Sequence, residues 1–310
     1  MAYNFNCNYY VASADSGNGH IFQFYTEMTS HGWTCVNTCY DSGGGFAVTN
    51  TISASSDLNT QSNEAPWIIL RDGSGAGGVE ICLWRSNSYY HYWNVKMSRT
   101  AGFTYNASAI TDVPTATDEV VLLSGTSMFG SGNSYGAIMV EDVSPWQFYF
   151  VSWPTGSFSL DSALVKAELD MGPDTSHPDN NVYIVTNGGA NIFENYKTHY
   201  PYELSSTGYG KNVAMINSTE YSSVVQLGWV CRDTYGAPNN IPQDSTGDIL
   251  FPILYGRITY MDPPYGYSGA TTMIKWSGTS RSLGDTIDSL NWIVFGDVVL
   301  PWDGTTTPSN

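Results

Sequence analysis

Trp67-Ile68-Ile69-Leu70-Arg71-Asp72-Gly73, Val79-Glu80-Ile81-Cys82-Leu83-Trp84 and Trp93-Asn94-Val95-Lys96-Met97-Ser98 decide the fold class of this chain. The first is a compact apolar run closed by the turn signal Arg71-Asp72-Gly73-Ser74-Gly75. In the second, Val79, Ile81 and Leu83 alternate with Glu80, Cys82 and Trp84. In the third, after a break at Ser86-Asn87-Ser88, Trp93, Val95 and Met97 alternate with Asn94, Lys96 and Ser98. Successive side chains of a strand point to opposite faces, so a period of two marks strands. Segments of this kind separated by turn residues predict an antiparallel meander. Trp67, Leu70, Ile81, Leu83, Trp93 and Val95 are its expected common core.

Working outward, Glu119 to Leu123, Ala137 to Val140 and Gln147 to Trp153 read as further strands. The last two are joined by Asp142-Val143-Ser144-Pro145, which suits a hairpin link. Val182 to Thr186, Val213 to Ile216, Val224 to Val230, Ile249 to Tyr255 and Trp292 to Val299 also read as strands, while Leu160 to Leu169 fits strand or helix. Helical spacing occurs near the start, where Ile21, Phe24, Tyr25 and Met28 fall at i, i+3, i+4 and i+7. Asn18 is the candidate cap and Gly32 the stop signal, and Trp33 to Asn37 then looks extended. The expected fold is mainly β, with antiparallel sandwich-like sheets and one short N-terminal amphipathic helix.

Residues 1–156 are expected to form a helix plus β-meander sandwich, and residues 157–310 a second β-rich region packed on it. Pro154-Thr155-Gly156 marks the boundary; a single domain is the alternative. Internal repeats, heptads and collagen-like triplets are absent from the sequence, which argues against a trimeric fibre shaft.

Charged residues make up 13% of the 310-residue chain and aromatic residues 14%, with 22 Tyr and 10 Trp. The charged share is well below the ~25% usual in globular domains. Tyr and Trp give large contact area with little side-chain entropy to lose, so this composition suits a surface made for contact. The net charge is −17, and the 11 Lys and Arg are scattered singly. Nucleic-acid affinity needs several cations on phosphates, so nucleic acid is an unsuitable partner, as is an anionic membrane surface. The N-terminal residues have neither the basic flank nor the apolar stretch of a signal peptide, and no run is long enough to insert in a bilayer. The expectation is a chain made and retained in a cytoplasm, or one that leaves it inside an assembled particle.

Residue chemistry points away from catalysis. Cys7, Cys35, Cys39, Cys82 and Cys231 are odd in number and lack the spacing of a zinc site, so free buried thiols are expected. The glycines of Gly73 to Gly78 lie between predicted strands and are not followed by the Lys-Ser or Lys-Thr of a phosphate loop. No Gly-x-Ser-x-Gly elbow stands where a hydrolase needs one. Asp118-Glu119 and Glu141-Asp142 are neighbours on predicted strands, so each pair points to opposite faces and cannot flank one glycosidic bond. Catalytic, cofactor-binding and metal-binding residues are all expected to be none. The candidate interaction patch is aromatic: Tyr89, Tyr90 and Tyr92 beside Trp93, and Tyr260, Tyr265 and Tyr267 around Pro263-Pro264 in a loop. Each cluster suits either packing of a loop on its own sheet or contact with a neighbouring subunit or glycan.

The helix runs into Gly32-Trp33-Thr34-Cys35-Val36, and Trp67 to Asp72, Trp93 to Ser98 and Ala101-Gly102-Phe103 follow. Then come Pro114 to Glu119, Phe148 to Trp153 and Gly296-Asp297-Val298-Val299-Leu300-Pro301-Trp302-Asp303-Gly304. In this order they resemble a loosely defined group of virion structural proteins of tailed bacteriophages. The resemblance implies a non-enzymatic component of the virion, assembling in multiple copies, in the tail, baseplate or neck region. Its implied partners are other copies of itself and other virion proteins, with no nucleic acid, membrane insertion or cofactor. The alternative is a glycan- or receptor-binding appendage module that meets a host-surface glycan, or a capsid decoration protein.

Overall fold

The computed structural model describes residues 5–12, 16–41, 46–49, 51–58, 66–73, 80–85, 93–98, 102–106, 112–117, 119–128, 134–141, 148–154, 162–170, 181–187, 211–215, 227–229, 253–256, 266–268, 274–275, 292–295, 298–301, 303 and 305. Among these residues the chain is mostly strand, with one α-helix. β1 (Phe5–Ala12) precedes α1 (Ser16–Ser30), and β2 (Thr34–Asp41) and β3 (Phe46–Thr49) follow. A short 3-10 turn (Ser55–Leu58) then leads to β4 (Trp67–Arg71), β5 (Glu80–Arg85), β6 (Trp93–Ser98), β7 (Val120–Met128) and β8 (Ser134–Glu141). Two compact units form, Tyr10–Gly136 and the combination of Met1–Tyr9 with Ala137–Asn310.

The unit Tyr10–Gly136 is built on a six-stranded sheet of order β3-β2-β4-β5-β6-β7. Its pairings are antiparallel, as the alternating segments predict. Register fixes which residues share a face, because residues directly opposite each other lie on the same side. Trp67 pairs with Trp84, Ile69 with Cys82 and Arg71 with Glu80. Glu80, Cys82 and Trp84 in turn face Ser98, Lys96 and Asn94. The other face carries Ile68, Leu70, Ile81, Leu83, Trp93, Val95 and Met97. The single core expected from Trp67, Leu70, Ile81, Leu83, Trp93 and Val95 is therefore corrected. All six are buried, but Trp67 lies on the face opposite the other five. A continuous apolar run such as Trp67 to Leu70 has no period, and it belongs to a strand covered on both sides. A bulge at Val36 lets β2 keep register with β4 on either side of it.

The helix follows the sequence closely. Ile21, Phe24, Tyr25 and Met28 are all buried. Gly32 ends the helix in the left-handed conformation (φ 90°), which glycine adopts without a Cβ penalty. Asn18 is not the cap, because the helix already begins at Ser16. Its side-chain oxygen accepts hydrogen bonds from Arg85 Nη1 (3.2 Å) and Trp93 Nε1 (3.3 Å) on the sheet. A polar residue at the head of an apolar stripe reads as a cap in sequence; tertiary contact turned it inward.

The remaining strands are β9 (Phe148–Pro154), β10 (Ser162–Asp170), β11 (Asn181–Asn187), β12 (Lys211–Met215), β13 (Leu227–Trp229), β14 (Ile253–Gly256), β15 (Gly266–Ser268), β16 (Ile274–Lys275), β17 (Trp292–Phe295) and β18 (Val298–Pro301). A nine-stranded sheet runs β1-β8-β9-β10-β15-β14-β13, with β11 on β10 and β12 on β11. A three-stranded sheet has the order β16-β18-β17. Of the stretch Leu160 to Leu169, open between helix and strand in sequence, the described part belongs to β10 (Ser162–Asp170). The boundary expected at residue 156 falls between β9 and β10, which pair directly from Ser152↔Ser162 to Phe148↔Lys166. Phe148 to Trp153 are buried without a break, again the pattern of a strand covered on both faces.

Trp93 is fully buried and belongs to the apolar face of the six-stranded sheet. Trp93→Ala is expected to cost about 3–5 kcal/mol in urea denaturation; a cost below about 1 kcal/mol would contradict its place in the core.

Candidate functional site

Within the unit Tyr10–Gly136, the polar chemistry gathers on the face of the six-stranded sheet that carries Trp67. Glu80 shares this face with Cys82 and Trp84, Lys96 shares it with Asn94 and Ser98, and both charged side chains are buried. Burying a charge is costly unless it is paired and hydrogen-bonded, so their partners define the site. Arg71 Nε donates to Glu80 Oε1 (2.9 Å), and its Nη2 donates to the same oxygen. Glu80 Oε2 accepts the backbone N–H of Phe103 (2.6 Å). Lys96 Nζ lies 3.0 Å from Glu119 Oε2, which also accepts the backbone N–H of Ala116 (3.0 Å). The ammonium lies over two rings, 5.2 Å from the Trp84 centroid and 5.4 Å from that of Phe103.

These contacts fasten a strap, residues 102–106 and 112–117, across that face. Gly102 opens it at φ 69°, with the Glu80 carboxylate so near that a Cβ would stand 3.2 Å from Oε2. Phe103 enters the cluster of Cys39, Trp67, Ile69 and Cys82, and Val36, Trp84 and Ala116 pack around it. The two arms are joined by reciprocal backbone bonds between Thr104 and Thr115 (2.8 and 2.9 Å). Farther out, Asn106 Nδ2 donates to Asp112 Oδ2 (3.1 Å), and both side chains are exposed. Tyr105 is 37% exposed, and its ring centroid lies 5.1 Å from that of Trp67 at an interplanar angle of 44°.

A second polar chain crosses the same unit. Tyr10 Oη is 2.8 Å from His20 Nδ1, and His20 Nε2 is 2.7 Å from Ser134 Oγ. Gly136 permits this arrangement, since a Cβ there would meet the Tyr10 ring at 2.3 Å. A serine on one imidazole nitrogen and an oriented group on the other resembles a nucleophile and its base. Burial, however, pulls the His20 pKa down to about 3 and raises that of Tyr10, with the Glu27 charge adding to the latter. A base so weakened does not take the serine proton near neutral pH. The chain ties Tyr10, His20 and Ser134 together within this unit.

Other reactive groups are quiet for the same reason. Cys7, Cys35, Cys39 and Cys82 are free thiols. Burial pushes Cys35 up to about 12 and raises Cys82, while burial followed by the Asp303 charge takes Cys7 to about 12. Such thiols carry little thiolate. Cys231 lies outside the described residues. Among the described residues no group of three or more His, Cys, Asp or Glu could hold a metal, and no helix is long and apolar enough to cross a membrane.

Of the aromatic patch, Tyr89, Tyr90, Tyr92, Tyr260 and Tyr265 lie outside the described residues. Tyr267, placed in a loop by sequence, belongs to β15, where its backbone pairs with Asp170 and Ile253. Its side chain is outside the described residues. The strap was missed in sequence. The available signal was Glu80, a charged residue on the same strand face as Cys82 and Trp84. No family model, no curated protein and no solved structure matches the chain.

Two expectations follow from this geometry. The His20 pKa is depressed in the folded chain, from 6.5 to about 3, so the unfolded chain takes up a proton that the folded one refuses. The stabilisation is full above about pH 6.5 and is lost as pH falls through that window. Urea denaturation at pH 5 should show a loss of roughly 2 kcal/mol relative to pH 7.5 from this group, and His20→Gln should remove that part of the pH dependence. In the strap, Glu119→Gln leaves the buried Lys96 ammonium without its carboxylate and should cost roughly 3 kcal/mol. Lys96→Met combined with Glu119→Gln should recover most of it in the same assay.

Proposed function

We propose that this chain is a non-catalytic structural component of a tailed-phage particle, assembling in multiple copies in the tail, baseplate or neck region. The observation that carries the reading is the ordered series of short structural stretches, from Gly32-Trp33 to Gly296–Gly304, that resembles virion proteins of tailed phages. Composition supports it: low charge with 22 Tyr gives a surface suited to contact. The described polar clusters are also consistent with it, since Glu80, Lys96, Glu119 and His20 are engaged in holding strands and strap together. Closed symmetry lets one chain build a ring or shell through repeated patches. Capsid decoration is the variant of this reading in which the same contacts serve a shell surface.

Light scattering on the purified chain, with electron microscopy, tests the proposal: closed oligomers of defined copy number are expected, and a strictly monomeric chain at high concentration counts against it. Pro263-Pro264 limits the freedom of the neighbouring chain and so lowers the entropy lost on docking. Tyr265→Ser together with Tyr267→Ser is expected to leave the monomer folded and weaken assembly. A double variant that assembles normally and loses host binding instead would favour the receptor-binding reading.

A further inference from the structure

We propose that the outer end of the strap, Tyr105 with Asn106 and Asp112, is a binding subsite for a neutral sugar. Tyr105 is the one aromatic side chain among the large hydrophobic residues found exposed in the described part of the chain. An exposed ring is the surface on which the apolar face of a pyranose stacks, and hydroxyls at the sugar's edge then need polar partners at the ring's border. Asn106 is the next residue, and its amide is hydrogen-bonded to the exposed Asp112 carboxylate. Asp112 accepts that bond at Oδ2 and is exposed, so its carboxylate can also accept from a hydroxyl.

The strap is held more firmly than a surface loop requires. Glu80 fixes one arm at Phe103, the Lys96–Glu119 pair fixes the other at Ala116, and the Thr104–Thr115 bonds close the two together. Tyr105 and the Asn106–Asp112 pair are thus placed before any ligand arrives, which reduces the entropy lost on binding. The Tyr105 ring packs on that of Trp67, whose buried Nε1 has no hydrogen-bond partner among the described residues. The net charge of −17 and the carboxylate at the subsite disfavour anionic glycans, so the ligand class is a neutral sugar. This subsite does not depend on the particle reading, and assembly and sugar binding are measured separately.

The test is binding of the purified full chain to a panel of neutral gluco-, galacto- and manno-oligosaccharides by saturation-transfer NMR and titration, with sialylated glycans alongside. At least one neutral sugar is expected to bind, with a shift of the Trp67 indole N–H signal assigned through Trp67→Phe. Tyr105→Ala should weaken binding about tenfold, whereas Tyr105→Phe should retain most of it. Asp112→Ala should weaken it as well. Tyr105→Phe keeps the ring against Trp67, so its thermal melt should match wild type, and the melt of Tyr105→Ala should show a folded chain at the temperature of the binding assay. Absence of neutral-sugar binding at millimolar concentration, binding of sialylated glycans alone, or unchanged affinity in Tyr105→Ala would each overturn the proposal.

Discussion

Glu80 is buried at the first position of β5, and the arrangement of its surroundings follows from satisfying that one carboxylate. A charge in such a place is tolerated only with a counter-charge and hydrogen-bond donors. Arg71, directly across on β4, supplies the charge, and the N–H of Phe103 supplies a donor. The donor brings the strap with it. Gly102 must turn with positive φ to present that N–H, and Phe103 then falls among Cys39, Trp67, Ile69 and Cys82. Lys96 repeats the logic on β6, drawing Glu119 and Ala116 inward.

The cost of these pairs explains what they are for. A buried ion pair is often no more stabilising than a well-packed apolar pair of the same size. It does restrict the number of ways in which the surrounding groups can be satisfied. Here the restriction falls on the strap, which has little regular structure of its own beyond the Thr104–Thr115 bridge. Charge pairing does for the strap what ladder hydrogen bonds do for the strands.

His20 shows the complementary case, a polar group placed where its chemistry is suppressed. Hydroxyls of Tyr10 and Ser134 occupy both ring nitrogens, and burial favours the neutral imidazole. Spacing in sequence gave no hint of this chain, because its members stand on β1, α1 and β8. The proximity of a serine to a histidine is thus a poor guide to catalysis without a means of stabilising the imidazolium.

The mainly β fold, the helix and its stop at Gly32 were legible because they rest on local physics: side-chain periodicity and the conformational freedom of glycine. β1, β3, β15 and β16 escaped notice, and the segment that forms β10 stays open between helix and strand in sequence. Short or ambiguous segments become strands when a neighbour offers a ladder, and that neighbour is distant in sequence. Sequence also singled out tyrosines as contact residues but missed the strap, Asn18 as an inward tie, and the split of the core at Trp67. Each of these depends on which residue stands opposite which. Alternation specifies that a strand has two faces; only pairing register assigns every residue to one of them, and only the folded chain brings an N–H from residue 103 to a carboxylate at residue 80.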